Sequence, residues 1–206
     1  RGARVVRAAS GVALVRSATG RVTGVTTQGT GAKTHAAGTV VLAAGTGTRE
    51  LVAPLGIDLP VSVSPACRLR LTAPPGLVRT ILARPDLEVR EVRDGELLAV
   101  MPYTVTPHEV TPHEEGPPGA ALQQAARRTV ERLRSALRGA DGIRLRDVRV
   151  GHRPLPAHGP LVGPAAEGLY VAVMHSAISL APTAGRLVAE ELTTGRPRPE
   201  LDRCRP

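Results

Sequence analysis

Gly151-His152-Arg153-Pro154-Leu155-Pro156, followed by Gly168-Leu169-Tyr170-Val171-Ala172-Val173-Met174-His175-Ser176, decides how this chain is read. Leu180-Ala181-Pro182 and a helical run from Thr183 to Gly195 come next. An arginine stands between a glycine and a proline. A short apolar strand then breaks at a small, polar loop, and the following helix turns its N-terminus toward that loop. Such a layout offers a cation for a carboxylate and backbone N–H groups for an anionic or electron-rich ligand.

Upstream, residues 1 to 45 read as β-structure. Val12, Leu14 and Arg16 alternate with their neighbours, Ser17-Ala18-Thr19-Gly20 makes a turn, and Val22, Gly24 and Val25 begin a second strand. After a turn at Gln28-Gly29-Thr30-Gly31, the run Thr39-Val40-Val41-Leu42-Ala43-Ala44 ends at Gly45. A continuous apolar strand of this kind is expected to be buried on both faces, as in a parallel sheet. Leu169–Val173 has the same texture, so the two are predicted to be neighbours in one sheet. Thr48 is placed to cap a helix through Leu51, Val52 and Leu55, which Gly56 stops. Gly45 serves as a tight turn, where positive φ costs it little, or as a close approach to a phosphate or dinucleotide.

From Val61 to about Val150 the texture changes. Arg68-Leu69-Arg70-Leu71-Thr72 alternates like a strand with one wet face, and Leu87 to Val92 joins Leu97 to Val100 through the turn Arg93-Asp94-Gly95. Leu122, Ala126, Val130, Leu133 and Leu137 make Ala120–Leu137 an amphipathic helix. Antiparallel strands with one helix suggest an α+β region inserted into the first domain. Residues 102–118 read as loop. Their two Thr-Pro-His-Glu echoes, at 106–109 and 111–114, lack further metal ligands nearby and are expected to be solvated.

Composition narrows the class. The net charge is +9, yet Lys33 is the only lysine, the arginines are scattered, and Phe and Trp are absent. Nucleic acid is therefore not the expected partner, since base-stacking side chains and a basic stripe are both missing. No apolar run is long enough to span a bilayer and no signal pattern opens the chain, so a soluble cytoplasmic protein is expected. The chain starts with Arg1 and reads as a piece of something longer, cut at its front. Cys67 and Cys204 stand far apart, which predicts free thiols rather than a disulfide framework or zinc site.

In their order, these stretches resemble the D-amino-acid oxidase/glycine oxidase (DAO) family of FAD-dependent oxidoreductases. There Gly-x-Arg-Pro, an apolar strand, Gly-His-x-Gly and Leu-Ala-Pro follow one another. Upstream come a β-meander, an Ala-Ala-Gly turn and Gly-Ile-x-Leu-Pro, here Gly20 to Val25, Val40 to Gly45 and Gly56-Ile57-Asp58-Leu59-Pro60. The resemblance covers nearly the whole chain but only the C-terminal half of the family. The Gly-x-Gly-x-x-Gly fingerprint that grips the FAD pyrophosphate does not occur in it.

The resemblance implies an α+β fold built on part of a Rossmann-like, glutathione-reductase-type FAD-binding domain. Residues 1–59 would be its C-terminal part with the β-meander, 60–148 an antiparallel substrate-binding lobe, and 149–206 the return to the FAD domain with the C-terminal helix. FAD is the implied cofactor, an amine or amino acid the substrate, and the missing N-terminal half the partner. Oxidation to an imine by hydride transfer to flavin is the implied reaction, and the piece alone is expected to be inactive. Arg153 would clamp the substrate carboxylate, because a guanidinium pairs with it through two parallel hydrogen bonds. The Val12 backbone would hold the adenine, Ala44 and Gly45 would pass beside the cofactor, and Met174, His175, Ser176, Ala177, Ile178 and Ser179 would form a loop along the flavin. His175 is expected to position rather than to act as a base. The chain departs from the pattern at Met174 and Ala177, where glycine is usual, at Cys67-Arg68, where Gly-Gln is common, and at Glu88, where some relatives place a tyrosine. It is also one residue short between Arg153 and Pro160. These departures keep open a non-catalytic relative that retains the fold without the cofactor.

Overall fold

The computed structural model describes residues 2–8, 10–85, 87–101 and 119–206. The Thr-Pro-His-Glu echoes and the predicted 102–118 loop lie outside the described residues. In chain order the elements are β1 (Val12–Arg16), β2 (Val22–Thr27), β3 (Thr34–Ala36), β4 (Val40–Leu42), α1 (Thr48–Val52), β5 (Val61–Thr72), β6 (Leu82–Arg84), β7 (Leu87–Arg93), β8 (Glu96–Met101), α2 (Ala120–Ala136), β9 (Arg144–Pro156), β10 (Leu161–Ala166), β11 (Leu169–Val173) and α3 (Ala177–Thr194). The chain divides into two compact units, residues 1–63 with 154–206, and residues 64–153.

In the first unit β1, β2 and β3 form an antiparallel meander, and a second sheet runs β10-β11-β4. The two apolar runs expected to be neighbours are so: β11 pairs with β4 in parallel, Leu169 opposite Val40 and Val171 opposite Leu42. Leu169, Val171, Val173, Val40 and Leu42 face one core with Val22 of the meander and Val52 of α1. Tyr170 and Met174 face the other, under Leu187 and Val188 of α3 and Leu201. The expectation of burial on both faces is corrected for β4, an edge strand in which Val41 is 43% exposed. The alternation that buries Val40 and Leu42 turns Val41 to the face that α3 leaves uncovered there.

Gly168 lets the turn before β11 approach the meander. Its φ is +77°, and a Cβ built there would lie 2.1 Å from the Val22 carbonyl oxygen. That carbonyl cannot retreat freely, because the Val22 N–H donates to the Glu167 oxygen at 2.9 Å. Gly168→Ala is expected to destabilise the chain by about 2 kcal/mol, the left-handed penalty plus a backbone shift. Chemical denaturation checks this, and an unchanged midpoint would refute it.

In the second unit the sheet order is β6-β7-β8-β5-β9. Leu122, Ala126, Val130 and Leu133, spaced to share one helix face, lay α2 over Cys67, Leu69, Leu71, Leu97 and Ala99. The β7–β8 hairpin turns at Asp94-Gly95 as predicted. Glu91 props it from inside. Its carboxylate accepts from the N–H groups of Gly76 and Gly95, both at 2.9 Å, and of Val78 at 3.3 Å. Those bonds, Gly76 first, hold its pKa below the ordinary value. Cys67 and Cys204 are free thiols, and burial pushes Cys67 up to about 11.

Candidate functional site

Parallel pairing fixes what lies together. Because β4 and β11 run side by side in the same direction, their C-terminal ends emerge at the same end of the sheet. One end continues as Ala43-Ala44-Gly45 and the other as Met174-His175-Ser176. In sheets of this kind ligands bind in the crevice outside the carboxyl ends of the strands. The structure therefore brings Ala44 and Gly45 together with the 174–176 turn.

Gly45 takes φ +57°, a conformation an L side chain rarely adopts, and nothing lies within 4 Å of a Cβ built on it. A short 3-10 turn, Gly45–Gly47, then leads directly into α1. The expected cap at Thr48 is corrected here. Gly47 occupies the N-cap position, and Thr48 is the first helical residue, fully buried, with a hydroxyl that has no hydrogen-bond partner.

At the second turn the structure departs from the expected loop. Ala177, Ile178 and Ser179 form the first turn of α3, which begins six residues before Thr183. Ser176 is its N-cap, with φ 58°, and is the one non-glycine residue of positive φ among the described residues. The strained position is thus Ser176, and Ala177 has helical backbone where its methyl costs nothing. The Ser176 hydroxyl does not cap the helix; it lies 3.0 Å from His175 Nδ1. The first N–H groups returning to the Ser176 carbonyl are those of Ser179, at 3.1 Å, and Leu180, at 3.2 Å. Those of Ala177 and Ile178 lack an intrahelical acceptor, as first-turn donors do, and the helix dipole adds positive potential there. Residues 175 to 183 are exposed, Ile178 by 95%.

Val12 lies on β1 of the meander. It lines a small groove of about 180 Å³ with Leu14, Gln28, Glu50, Leu51 and Leu55. Gly45 and residues 174–179 are not part of that lining. The meander residue and the Ala44-Gly45 turn are linked through α1, which starts at one and flanks the other.

Arg153 belongs to the second unit. It sits on β9, the edge strand, where Pro154 and Pro156 cost no ladder bonds. Its Nη2 donates to Ser64 Oγ at 2.9 Å and to the Pro65 carbonyl at 3.4 Å. Both partners are neutral, so the guanidinium is oriented while its charge is left uncompensated.

One cluster escaped the sequence reading. Tyr170, Glu191 and Arg205 meet beside the α3 core, with Glu191 8% exposed. Tyr170 donates its hydroxyl proton to Glu191, Arg205 grips the same carboxylate through both Nη atoms, and the Arg198 N–H adds a bond of 2.6 Å. Arg205 first, then Tyr170, hold Glu191 down at about 2, against the burial that opposes them. Burial first, then Glu191, push Tyr170 up to about 12. No local pattern announces a contact between residues this far apart in a chain rich in arginine. Among the described residues no group of His, Cys, Asp and Glu could hold a metal, and no helix is long and apolar enough to cross a membrane.

A family model described as DAO, FAD dependent oxidoreductase, matches residues 1–191. Among solved structures, iminodiacetate oxidase from Chelativorans sp. BNC1 is similar at 22% identity and TM-score 0.67, over 96% of this chain and 52% of its own. L-amino acid deaminase from Proteus vulgaris gives 18% and 0.71, over 94% and 47%. Glycine oxidase from Geobacillus kaustophilus gives 24% and 0.68, over 88% and 48%. The chain thus spans about half the length of these structures. No curated protein matches it.

Proposed function

The chain belongs to the DAO family of FAD-dependent oxidoreductases, and from that premise we propose that it is the C-terminal portion of an enzyme oxidising an amine or amino acid to an imine. The observation that carries this reading is the pair of turns at the ends of β4 and β11. One holds a positive-φ glycine with open space above it, the other a strained serine before two unpaired helix N–H groups. Strain of this kind is kept where surroundings or function demand it.

The residues present fit the flat, electron-accepting end of FAD. Gly45 leaves room for close approach, and the N–H groups of Ala177 and Ile178 favour negative charge. Nothing in the chain fits the pyrophosphate, for which the Gly-x-Gly-x-x-Gly turn is required. FAD, when bound, supplies the acceptor for the hydride that leaves the substrate carbon. Residues 1–59 with 149–206 are assigned to a Rossmann-like, glutathione-reductase-type FAD domain, and 60–148 to a substrate lobe. Arg153, on β9 at the end of the 64–153 unit, binds the substrate carboxylate, and Ser64 orients the guanidinium. The open edge of β4, the exposed Val41 and the exposed start of α3 are the surfaces a preceding half would cover. Ala177 is helical in backbone, so its methyl adds no left-handed strain.

Joined to a half that carries a Gly-x-Gly-x-x-Gly strand–turn–helix, the protein is expected to purify yellow, with flavin absorption. The 206-residue chain alone is expected to bind FAD weakly or not at all. A joined protein that stays colourless and takes up no added FAD would overturn the reading.

A further inference from the structure

The sheet of the 64–153 unit has one face under α2 and another that no described element of the unit covers. On β5, Cys67, Leu69 and Leu71 point to the core, so Ser64, Ala66, Arg68 and Arg70 point to the open face. On β9, Val148 and Val150 belong to the core, which turns Arg149, Gly151 and Arg153 outward. Pairing through β8 sets Glu88, Val100 and Arg68 in one row and Arg90, Leu98 and Arg70 in the next.

Most arginines on this face are matched. Arg70 lies 3.3 Å from Glu96, Arg90 3.3 Å from Glu88 and Arg149 2.9 Å from Asp147. Two are not. Arg153 has only neutral partners, and Arg68 makes no hydrogen bond or ion pair among the described residues. Between them lies a floor of small residues, where a Cβ on Gly151 would sit 3.8 Å from the Ala66 carbonyl oxygen. Arg153 bonds across to Ser64, four residues before Arg68, so the two anchor points are roughly 13 Å apart along the strand. Both side chains are long enough to lean over the floor from its two ends.

Resting on the amine-oxidation reading, we propose that this face selects an amine carrying two carboxylates, Arg153 gripping one and Arg68 the other. The charge pattern supports this occupant. A substrate with one carboxylate neutralises Arg153 and leaves Arg68 unmatched, whereas a dicarboxylate completes the pairing found everywhere else on the face. Val100 and the Ala66–Gly151 floor contact the carbon chain between the two anions. Glu88, already engaged by Arg90, faces the same row and disfavours a third anionic group.

Binding to the 206-residue chain tests the idea without cofactor, with glutarate as the two-carboxylate probe and butyrate as its one-carboxylate counterpart, followed by NMR or calorimetry. Glutarate is expected to bind roughly tenfold more tightly, as one added charge-assisted pair implies. Arg68→Gln should remove that advantage and leave butyrate unchanged, while Arg153→Gln should weaken both. Both side chains lie on the open face, so neither change touches the core. Equal affinity for the two probes, binding of neither, or a glutarate advantage that survives Arg68→Gln would overturn the proposal. Turnover by the joined flavoenzyme separates the two readings. Oxidation of neutral and acidic amino acids with equal efficiency removes the dicarboxylate selection and keeps the enzyme. Glutarate discrimination in a protein that oxidises no amine removes the enzyme and keeps the two-cation site.

Discussion

Replacing Arg205 by alanine is expected to lower the stability of the chain by about 3 kcal/mol, because it strands a buried carboxylate. Glu191 has a side chain only 7% exposed, and two of its partners, Arg205 and Arg198, come from the segment that follows α3. For a chain of this length the melting temperature should fall by roughly 6–12 °C. Glu191 titrates at about 2 in the folded chain, against 4.5 ordinarily. The folded value is the lower one, so its contribution is complete above about pH 4.5 and fades as pH drops toward 2. The gap between wild type and Arg205→Ala should therefore be widest near neutral pH and close across that acid window. Melting curves from pH 7 to pH 2 measure it, and a gap independent of pH would contradict the role given to Glu191. Glu191→Leu combined with Arg205→Met and Tyr170→Phe should recover much of the loss, since an apolar cluster of similar volume needs neither charge compensation nor an acceptor for the tyrosine hydroxyl.

Arg153→Ala in the complete enzyme is expected to weaken capture of a carboxylate substrate by about 2–5 kcal/mol, the cost of leaving a desolvated carboxylate without its cation. Arg153→Lys should cost less, keeping the charge but losing the fork that makes two parallel bonds. Flavin content should stay near normal in both if, as proposed, the arginine meets the substrate and not the cofactor. Steady-state turnover with an amino acid and with the matching amine that lacks the carboxylate reads the effect. Wild type should prefer the acid strongly, and Arg153→Ala should erase most of that preference. If the preference survives, the carboxylate is bound elsewhere and Arg153 is one more surface arginine.

Much of the architecture was legible because it rests on short-range periodicity. The spacing of Leu122, Ala126, Val130 and Leu133 marks α2 within one residue of its observed end. The apolar runs at 40–44 and 169–173 mark two strands that pair. What sequence alone could not give was exposure and partnership. Val41 looks as buried as its neighbours, and only the position of β4 at the sheet edge shows it is not. The start of α3 was hidden by Pro182, which normally argues against helix on its N-terminal side. Here it lies inside the helix, on an exposed turn, where the Ile178 carbonyl it leaves unpaired can be hydrated. Of the candidate site, the Ala44-Gly45 turn and the 174–176 turn follow the two strands of one parallel pair, and Val12 lines a groove beside α1. The Tyr170–Glu191–Arg205 cluster was illegible, because it depends on how the chain after α3 folds back.

The β4 edge has a practical consequence for anyone handling this polypeptide. An uncovered strand presents a row of free amide and carbonyl groups, and Val41 adds an apolar side chain beside them. No proline or charged residue interrupts Val40–Leu42, and the next residues are Ala43 and Ala44. With no further strand beside β4 among the described residues, the chain is a template for edge-to-edge pairing, and it should self-associate and precipitate as concentration rises. A lysine at position 41 would act as a gatekeeper, keeping the polypeptide dispersed without disturbing the core on the strand's other face.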